Sequence, residues 1–364
     1  MKILQITLDT KGGMIHYVSQ LSNALALNND VSVIIPIGAE TELFNSSVKI
    51  VPLHTGNIIR NFIINTLIVT RMVRFYKTIK KIHPDIIHLQ LCNPWICLFL
   101  PILKNYKIIT TIHDIEPHIG SRKIDQRIAR DTHIKFSDCI IVHGNKAKSI
   151  LEKKAINKKI YSVPHGDYSF FTKISEGNYH EEEGTILFFG RIVEYKGLKY
   201  LVQAAPKIAE SIRNMKIIIA GSGSLEEYKD AINSPYFEIH NNFIHNNDVG
   251  KYFQRASVVV LPYIECTQTG VIPIAYAFKK SVVVTNVGNI PEVVDDGITG
   301  YIVPPKDPNS LAEAIVKILS NENLRKKMGE NAYKKMNEEL SWDSIAQKTV
   351  KIYEDVLEQK NENN

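Results

Sequence analysis

Short, uninterrupted runs of Val, Ile and Leu alternate with helical stretches from one end of the chain to the other. In the first half these runs are KILQITL, VSVII, VKIVPL, DIIHLQL, KIITTI, DCIIV and IYSVP. In the second half they are GTILFFG, MKIIIAG, YFEIHN, SVVVLPY, SVVVTN and GYIVP. Most lack a polar–apolar alternation, as expected of strands covered on both faces. Such strands, separated by helices, predict parallel sheets in an α/β fold.

The pattern breaks near residues 170–183, where SFFTKISEGNYHEEEG is polar, contains glycine and shows no period. A linker there leaves each half with its own strand series, so each can wind its own sheet. The chain therefore divides into an N-terminal domain of residues 1–170, a C-terminal domain of 171–340 and a last segment, 341–364. That segment opens with SWDSIAQKTVKIYEDVLE, an amphipathic helix with Ser341 as N-cap, and ends in a polar tail. It is expected to pack back on the N-terminal domain.

Length agrees with two domains, because 364 residues exceed one ordinary core. The N-terminal run reaches Asp9 too early for a signal peptide. NIIRNFIINTLIVTRMV is broken by Arg60 and Arg71, and PWICLFLPIL is only ten residues long, so neither reads as a membrane span. Cys92, Cys97, Cys139 and Cys266 show no CxxC pairing and no histidine at metal spacing. Free thiols in a cytoplasmic protein are expected.

Charge is uneven. Residues 1–170 hold 22 Lys and Arg against 12 Asp and Glu, a balance of +10; residues 171–364 hold 22 against 26, a balance of −4. The basic half points to an anionic partner such as a lipid phosphate or a membrane surface. Within it, TRMVRFYKTIKKI places Met72, Phe75, Ile79 and Ile82 on one helical face and Arg71, Arg74, Lys77 and Lys81 on the other. Two readings stay open: a core-packed helix with a solvated charged face, or a basic face lying near anionic lipid. No recognition motif or aromatic platform suggests nucleic acid.

Four stretches carry candidate chemistry. In TLDTKGGMIHYVSQ, Gly12 and Gly13 join a strand to a helix, where backbone amides can meet an anion; a plain tight turn fits equally. In IIIAGSGSLEEY a dinucleotide fingerprint would need a third glycine where Glu226 stands, which excludes NAD binding and leaves Gly221 and Gly223 as a close-approach loop. In FFGRIVEYKGL, Arg191 and Lys196 follow a buried strand. They can grip a diphosphate or be surface cations. In SVVVLPYIECTQTGVIPIAYAF, Thr269 is a plausible N-cap with Gly270 in the first helical turn. Glu265, in the loop before, can accept from ribose or sugar hydroxyls.

Gly288, Pro291, Glu292, Gly297, Gly300 and Pro304, with VV and DDG between them, resemble the C-terminal signature of family 4 retaining glycosyltransferases. The Gly12–Gly13 turn, Gly190-Arg191 with Lys196-Gly197, the Gly221–Gly223 loop and TIHD at 111–114 are similar to that family in its order. The resemblance implies the GT-B fold, with two Rossmann-like domains facing across a cleft. It implies a nucleoside diphosphate sugar, UDP- or GDP-linked, held mainly by the C-terminal domain, and an acceptor met mainly by the N-terminal one. It places Arg191 and Lys196 on the donor diphosphate, His113 near the donor sugar, and Gly12–Gly13 beside the phosphates. For His113 a structural role is the competing reading.

One departure stands out. The family often carries two glutamates eight residues apart around this helix, the second binding ribose. Counting from Glu265 gives Pro273, and counting back from Ala275 and Ala277 gives Ile274. Gln268 or Glu265 is left to take that place. No DxD-like motif is present, so transfer without a metal is expected, and no other cofactor.

The expected function is glycosyl transfer with retention to a glycan or lipid-linked acceptor, at the inner face of a membrane. The alternatives are a non-catalytic GT-B partner of another transferase, which the missing glutamate would suit, and a nucleotide-sugar isomerase, which would convert donor without acceptor.

Overall fold

The computed structural model describes residues 1–56, 59–115, 123–154 and 157–361, with side chains at residues 59, 60, 123 and 359–361 left aside. Each of the thirteen apolar runs forms a strand. They are β1 (Lys2–Ile6), β2 (Asp30–Pro36), β3 (Lys49–Leu53), β4 (Ile86–Leu89), β5 (Lys107–Ile112), β6 (Cys139–Val142) and β7 (Lys159–Ser162), followed by β8 (Thr185–Phe189), β9 (Lys216–Ala220), β10 (Phe237–His240), β11 (Val258–Leu261), β12 (Val282–Thr285) and β13 (Gly300–Val303).

The described residues form two compact units, Met1–Gly166 with Trp342–Asn364, and Asp167–Ser341. The first unit's sheet runs β3-β2-β1-β4-β5-β6-β7 and the second's β10-β9-β8-β11-β12-β13. All described pairings are parallel. In each sheet the chain starts mid-sheet, walks outward, then returns to the other side. That reversal falls between β1 and β4, and between β8 and β11. Loops leaving adjacent strands there part to opposite faces of the sheet and leave a crevice at the strands' C-terminal ends.

In the second unit, helices Leu198–Ser211 and Pro308–Leu319 bury Leu201, Ala205 and Ile208, and Leu311, Ile315 and Ile318, against the sheet. Those spacings put one apolar stripe toward the strands, and each fully buried Ile or Leu contributes about 1.5–3 kcal/mol. Asp307 starts the later helix by accepting from the amides of Asn309 and Ser310, both at 3.0 Å, with Pro308 at the first helical position.

The first unit takes back the end of the chain. Helix Trp342–Asn361 lies against helix Gly13–Leu25, with Trp342 edge-on to Tyr17 at 5.2 Å. Farther along, the Tyr353 hydroxyl lies 2.6 Å from Nδ1 of His88. No helix among the described residues is long and apolar enough to cross a membrane.

Candidate functional site

In the second unit, Arg191 comes two residues after β8 and Tyr263 two residues after β11, so the adjacent strands bring them together from either side of the chain reversal. Between Arg191 and the helix of Leu198–Ser211, residues Glu194–Lys196 make a single 3-10 turn. Gly197 then takes φ 66°, and a β-carbon there would collide with the Pro262 carbonyl. The turn is tied to the β11 loop by the Ile264 amide, which donates to the Tyr195 carbonyl at 2.8 Å.

This folding puts Lys196 inside. Only 9% of it is exposed. Its Nζ lies 5.1 Å above the Tyr263 ring, and a β-carbon on Gly190 would come within 2.6 Å of it. Burial pulls the ammonium below the usual lysine range; Tyr195 opposes this and neighbouring Arg191 adds to it. Arg191 itself is exposed and donates from Nη2 to the Tyr195 hydroxyl at 3.2 Å. No ion pair joins either cation to a carboxylate among the described residues. The ring under Lys196 supplies part of the missing stabilisation by a cation–π contact.

The glycines of the Gly221–Gly223 loop have a structural reason. The Gly190 amide donates to Ala220 and the Ile192 amide to Ser222, at 2.9 and 2.8 Å. β-Carbons on Gly221 and Gly223 would strike the carbonyls of Gly190 and Ile192. The close approach read from the sequence is therefore made by the chain's own 190–192 segment, which holds Arg191 in place.

The loop after β11 differs from the expected cap. The helix spans Val271–Ala277, its N-cap is Gly270 rather than Thr269, and the cap makes no side-chain hydrogen bond. The Thr269 hydroxyl accepts from the Val271 amide at 3.2 Å. Gly270 is small for a packing reason, since a β-carbon would come within 2.9 Å of the Tyr168 ring. Gly288, at φ 54°, presses on the same loop: its β-carbon would collide with the Cys266 carbonyl, while the Asn289 amide donates to Thr267 at 3.1 Å. Glu265 is half-buried. Gln268 is half-buried too, and its Oε1 is buried with no hydrogen-bond partner among the described residues. A buried amide oxygen left open costs about 1–3 kcal/mol, so it marks a place where a hydroxyl donor would be welcome.

In the first unit, Gly12 is the N-cap of helix Gly13–Leu25, at φ 78°, and a β-carbon there would meet nothing within 4 Å. Only its backbone conformation asks for glycine, and open space lies beyond it. His113 directly follows β5 and is 7% exposed. It joins a cluster in which Tyr17 lies edge-on to His113, His143 and His165, at 4.9, 5.3 and 5.0 Å between ring centres. Burial, reinforced by His143, holds His113 well below the ordinary histidine pKa; His143 falls to about 4 and His165 to about 3, both mainly by burial. All three rings are therefore neutral at pH 7.

Sequence reasoning missed Tyr263, Tyr195, Tyr168 and His143. A signal existed for His143: Ile112 pairs with Val142 at the ends of β5 and β6, so the next residue on each strand is a histidine. It becomes visible only once β5 and β6 are known to be neighbours. Among the described residues no three His, Cys, Asp or Glu side chains are grouped to hold a metal. A surface depression of about 730 Å³ lined by Met1, Lys2, Asn28, His83 and Asp85 lies at the N-terminal ends of β1 and β4, the opposite end of the first unit's sheet from His113.

Residues 170–335 match the family model described as "Glycosyl transferases group 1", and residues 11–166 the model "Glycosyltransferase Family 4". An uncharacterised glycosyltransferase of Methanocaldococcus jannaschii is 34% identical over 49% of this chain, a match spanning 46% of that relative's length. The phosphatidyl-myo-inositol mannosyltransferase of Mycobacterium tuberculosis is 24% identical over 97% of this chain and 96% of its own. Anabaena HepE, solved in complex with UDP-glucose, superposes with a TM-score of 0.75 over 98% of this chain and all of that one, at 14% identity. The shared fold is GT-B, built from two parallel-sheet α/β domains.

Proposed function

The chain belongs to the family 4 glycosyltransferases, and from that premise we propose that it moves a sugar from a nucleoside diphosphate sugar to an acceptor hydroxyl with retention of anomeric configuration. One observation carries the donor part: among the described residues, buried Lys196 has no carboxylate partner, and neither has Arg191 five residues before it. A buried cation without a counter-ion is unfavourable, and a diphosphate would neutralise it.

In the proposed step the bond from the anomeric carbon to the β-phosphate oxygen breaks and its electron pair stays on phosphate. The acceptor oxygen bonds to the carbon on the same face and its proton is released. Charge gathers on the diphosphate as the bond lengthens, so fixed cations favour the transition state over the ground state. Arg191 supplies a planar fork and Lys196 a buried point charge. Gly12 and Gly13, Gly221 and Gly223, and the Thr269–Gly270 turn are proposed as the backbone around the donor. The open Oε1 of Gln268 supports it, ahead of Glu265, as the ribose ligand in place of the absent glutamate. His113 is assigned to the donor sugar on the family resemblance. The chemistry is proposed to need no metal, because the chain's own cations meet the leaving charge.

A UDP-sugar donor is supported by the HepE complex with UDP-glucose. A lipid-linked or glycan acceptor at the cytoplasmic face of a membrane is supported by the mannosyltransferase relative, whose name holds a phospholipid, and by the +10 balance of residues 1–170.

The test is calorimetric titration of the full chain with UDP and GDP, repeated with Arg191→Ala. Binding of one nucleotide that weakens at least tenfold in the variant is expected, matching a charge-assisted hydrogen bond of about 1.5–3 kcal/mol. Equal affinity in the variant would remove Arg191 from the site, and no binding of either nucleotide would overturn the donor assignment.

A further inference from the structure

Glu181 lies in the polar stretch before β8, and each of its carboxylate oxygens is taken by a cation. Lys280, two residues before β12, donates from Nζ to Oε2 at 2.8 Å. Arg325, on helix Glu322–Glu339, donates from Nε to Oε1 at 2.9 Å. The helix comes close enough because Gly329, one turn after Arg325, bears no side chain; a β-carbon there would collide with the Lys279 carbonyl. All three residues belong to the second unit. Glu181 and Lys280 stand at the N-terminal ends of its parallel strands, whereas Arg191 and Tyr263 follow the C-terminal ends.

The charges in this cluster do not balance. Lys280 is 9% exposed and Arg325 6%, and these two buried cations share one half-buried carboxylate. The acids beside them are committed elsewhere. Glu182 pairs with Arg255 and Lys216, and exposed Glu322 pairs with Lys326 at 2.6 Å. One positive charge is left over. Arg325 cannot shed its proton. Burial pulls the Lys280 ammonium below the usual lysine range; Glu181 opposes this and Arg325 adds to it. A donor is left over as well, since Nη1 of Arg325 is buried and meets no hydrogen-bond partner among the described residues. A buried charged group with an unmet N–H is unfavourable on both counts.

Charge and access then select the occupant. A water molecule would meet the open N–H but leave the excess charge. A phosphate ester would bring up to two charges and several oxygens to a single closed-off N–H, next to the Glu181 carboxylate. A monovalent anion of one atom supplies the one missing charge and accepts from the one open donor. Chloride is the common ion of that kind.

We propose that Arg325 and Lys280 hold a chloride ion at the N-terminal edge of the second unit's sheet, with Nη1 of Arg325 as its hydrogen-bond donor. The ion ties the segment before β8 to helix Glu322–Glu339 and makes the stability of the second unit depend on chloride. The site is separate from the donor residues and does not rest on the proposed transfer reaction.

Calorimetric melting of the full chain tests it, with sodium chloride replacing sodium gluconate at constant ionic strength. The melting point should rise by roughly 2–4 °C once chloride reaches about ten times its dissociation constant. Arg325→Met removes the excess charge and the open donor together, so the rise should vanish. Glu181→Gln leaves two buried cations without a carboxylate. That variant should melt below wild type in gluconate, be restored by chloride, and bind chloride roughly tenfold or more tightly. A cluster that is only an ion pair would move neither response. The rise should persist in Arg191→Ala with Lys196→Met, which removes the donor cations, and UDP titration of Arg325→Met should match wild type. These two arms keep failure here distinct from failure of the donor assignment. No chloride response in the wild type would overturn the proposal. So would an undiminished response in Arg325→Met, or its loss when Arg191 and Lys196 are replaced.

Discussion

Nε2 of His143 lies 3.1 Å from Nδ1 of His113, and the Val163 carbonyl, 2.9 Å from Nδ1 of His143, fixes the direction of that hydrogen bond. A carbonyl only accepts, so His143 must carry its proton on Nδ1. The ring is neutral, because burial lowers its pKa to about 4, so its Nε2 can only accept. His113 therefore donates from Nδ1 and keeps a bare, buried Nε2, while the Gln90 carbonyl beside the ring only partly offsets the effect of burial on its pKa. A bare ring nitrogen can receive a sugar hydroxyl; a protonated one could not.

The relay predicts a tautomer. Long-range proton–nitrogen correlation spectra should show His113 protonated on Nδ1 in the wild type. In His143→Phe the signal should shift toward the Nε2-protonated form, and the protein should lose about 1–3 kcal/mol for the unpaired Val163 carbonyl and His113 donor. An unchanged His113 tautomer in the variant would show that His143 does not set it.

The same histidines make the first unit acid-sensitive. His88 and His165 are lowered to about 3 and His133 and His143 to about 4, all chiefly by burial. The unfolded groups titrate near 6.5, so below that pH the unfolded chain binds protons that the folded chain refuses, and stability falls as pH falls toward about 4. Two such groups acting independently lose about 4 kcal/mol between pH 6.5 and 5 at about 1.4 kcal/mol per pH unit each. That corresponds to a melting point lower by on the order of 10 °C. Both tryptophans, Trp95 and Trp342, belong to the first unit, so fluorescence-detected melting at pH 7 and pH 5 isolates it. An equal melting point at the two values would contradict the burial of neutral rings.

Lys196 should separate function from stability. Lys196→Met replaces a buried ammonium by an apolar group of similar length, so the melting point should hold or rise. UDP affinity should nonetheless fall by roughly 10- to 100-fold, the worth of one charge-assisted contact. A variant that melts several degrees lower and still binds UDP would make Lys196 a structural residue.

Two glycines should respond differently to alanine. Gly12 at φ 78° has open space around its missing β-carbon, so Gly12→Ala should cost about 1–2 kcal/mol from backbone strain alone. Gly197 at φ 66° adds a collision with the Pro262 carbonyl, so Gly197→Ala should cost more and should weaken UDP binding by moving Lys196. Chemical denaturation of each variant beside its UDP titration distinguishes the two.

Strand runs such as SVVVTN and MKIIIAG were legible in the sequence because a strand buried on both faces admits almost nothing but branched apolar residues, and the two-sheet α/β fold follows from their number and spacing. The positions of Arg191 and His113 were legible for a related reason: each sits just past a strand, where such folds place their chemistry, and Lys196 follows Arg191 by five residues. The division at Gly166, four residues before the expected boundary, was not legible, nor was the Gly270 cap, because both depend on what the residues touch.

What the sequence determined by itself was the order of strands and helices and the chemical types placed at their ends. Only the tertiary structure decided which ends become neighbours: β5 beside β6, which aims His143 at His113, and β8 beside β11, which slides the Tyr263 ring beneath Lys196. The physical reason is that local patterning fixes backbone conformation within a few residues, whereas pairing between strands far apart in the chain is settled by packing of the whole sheet.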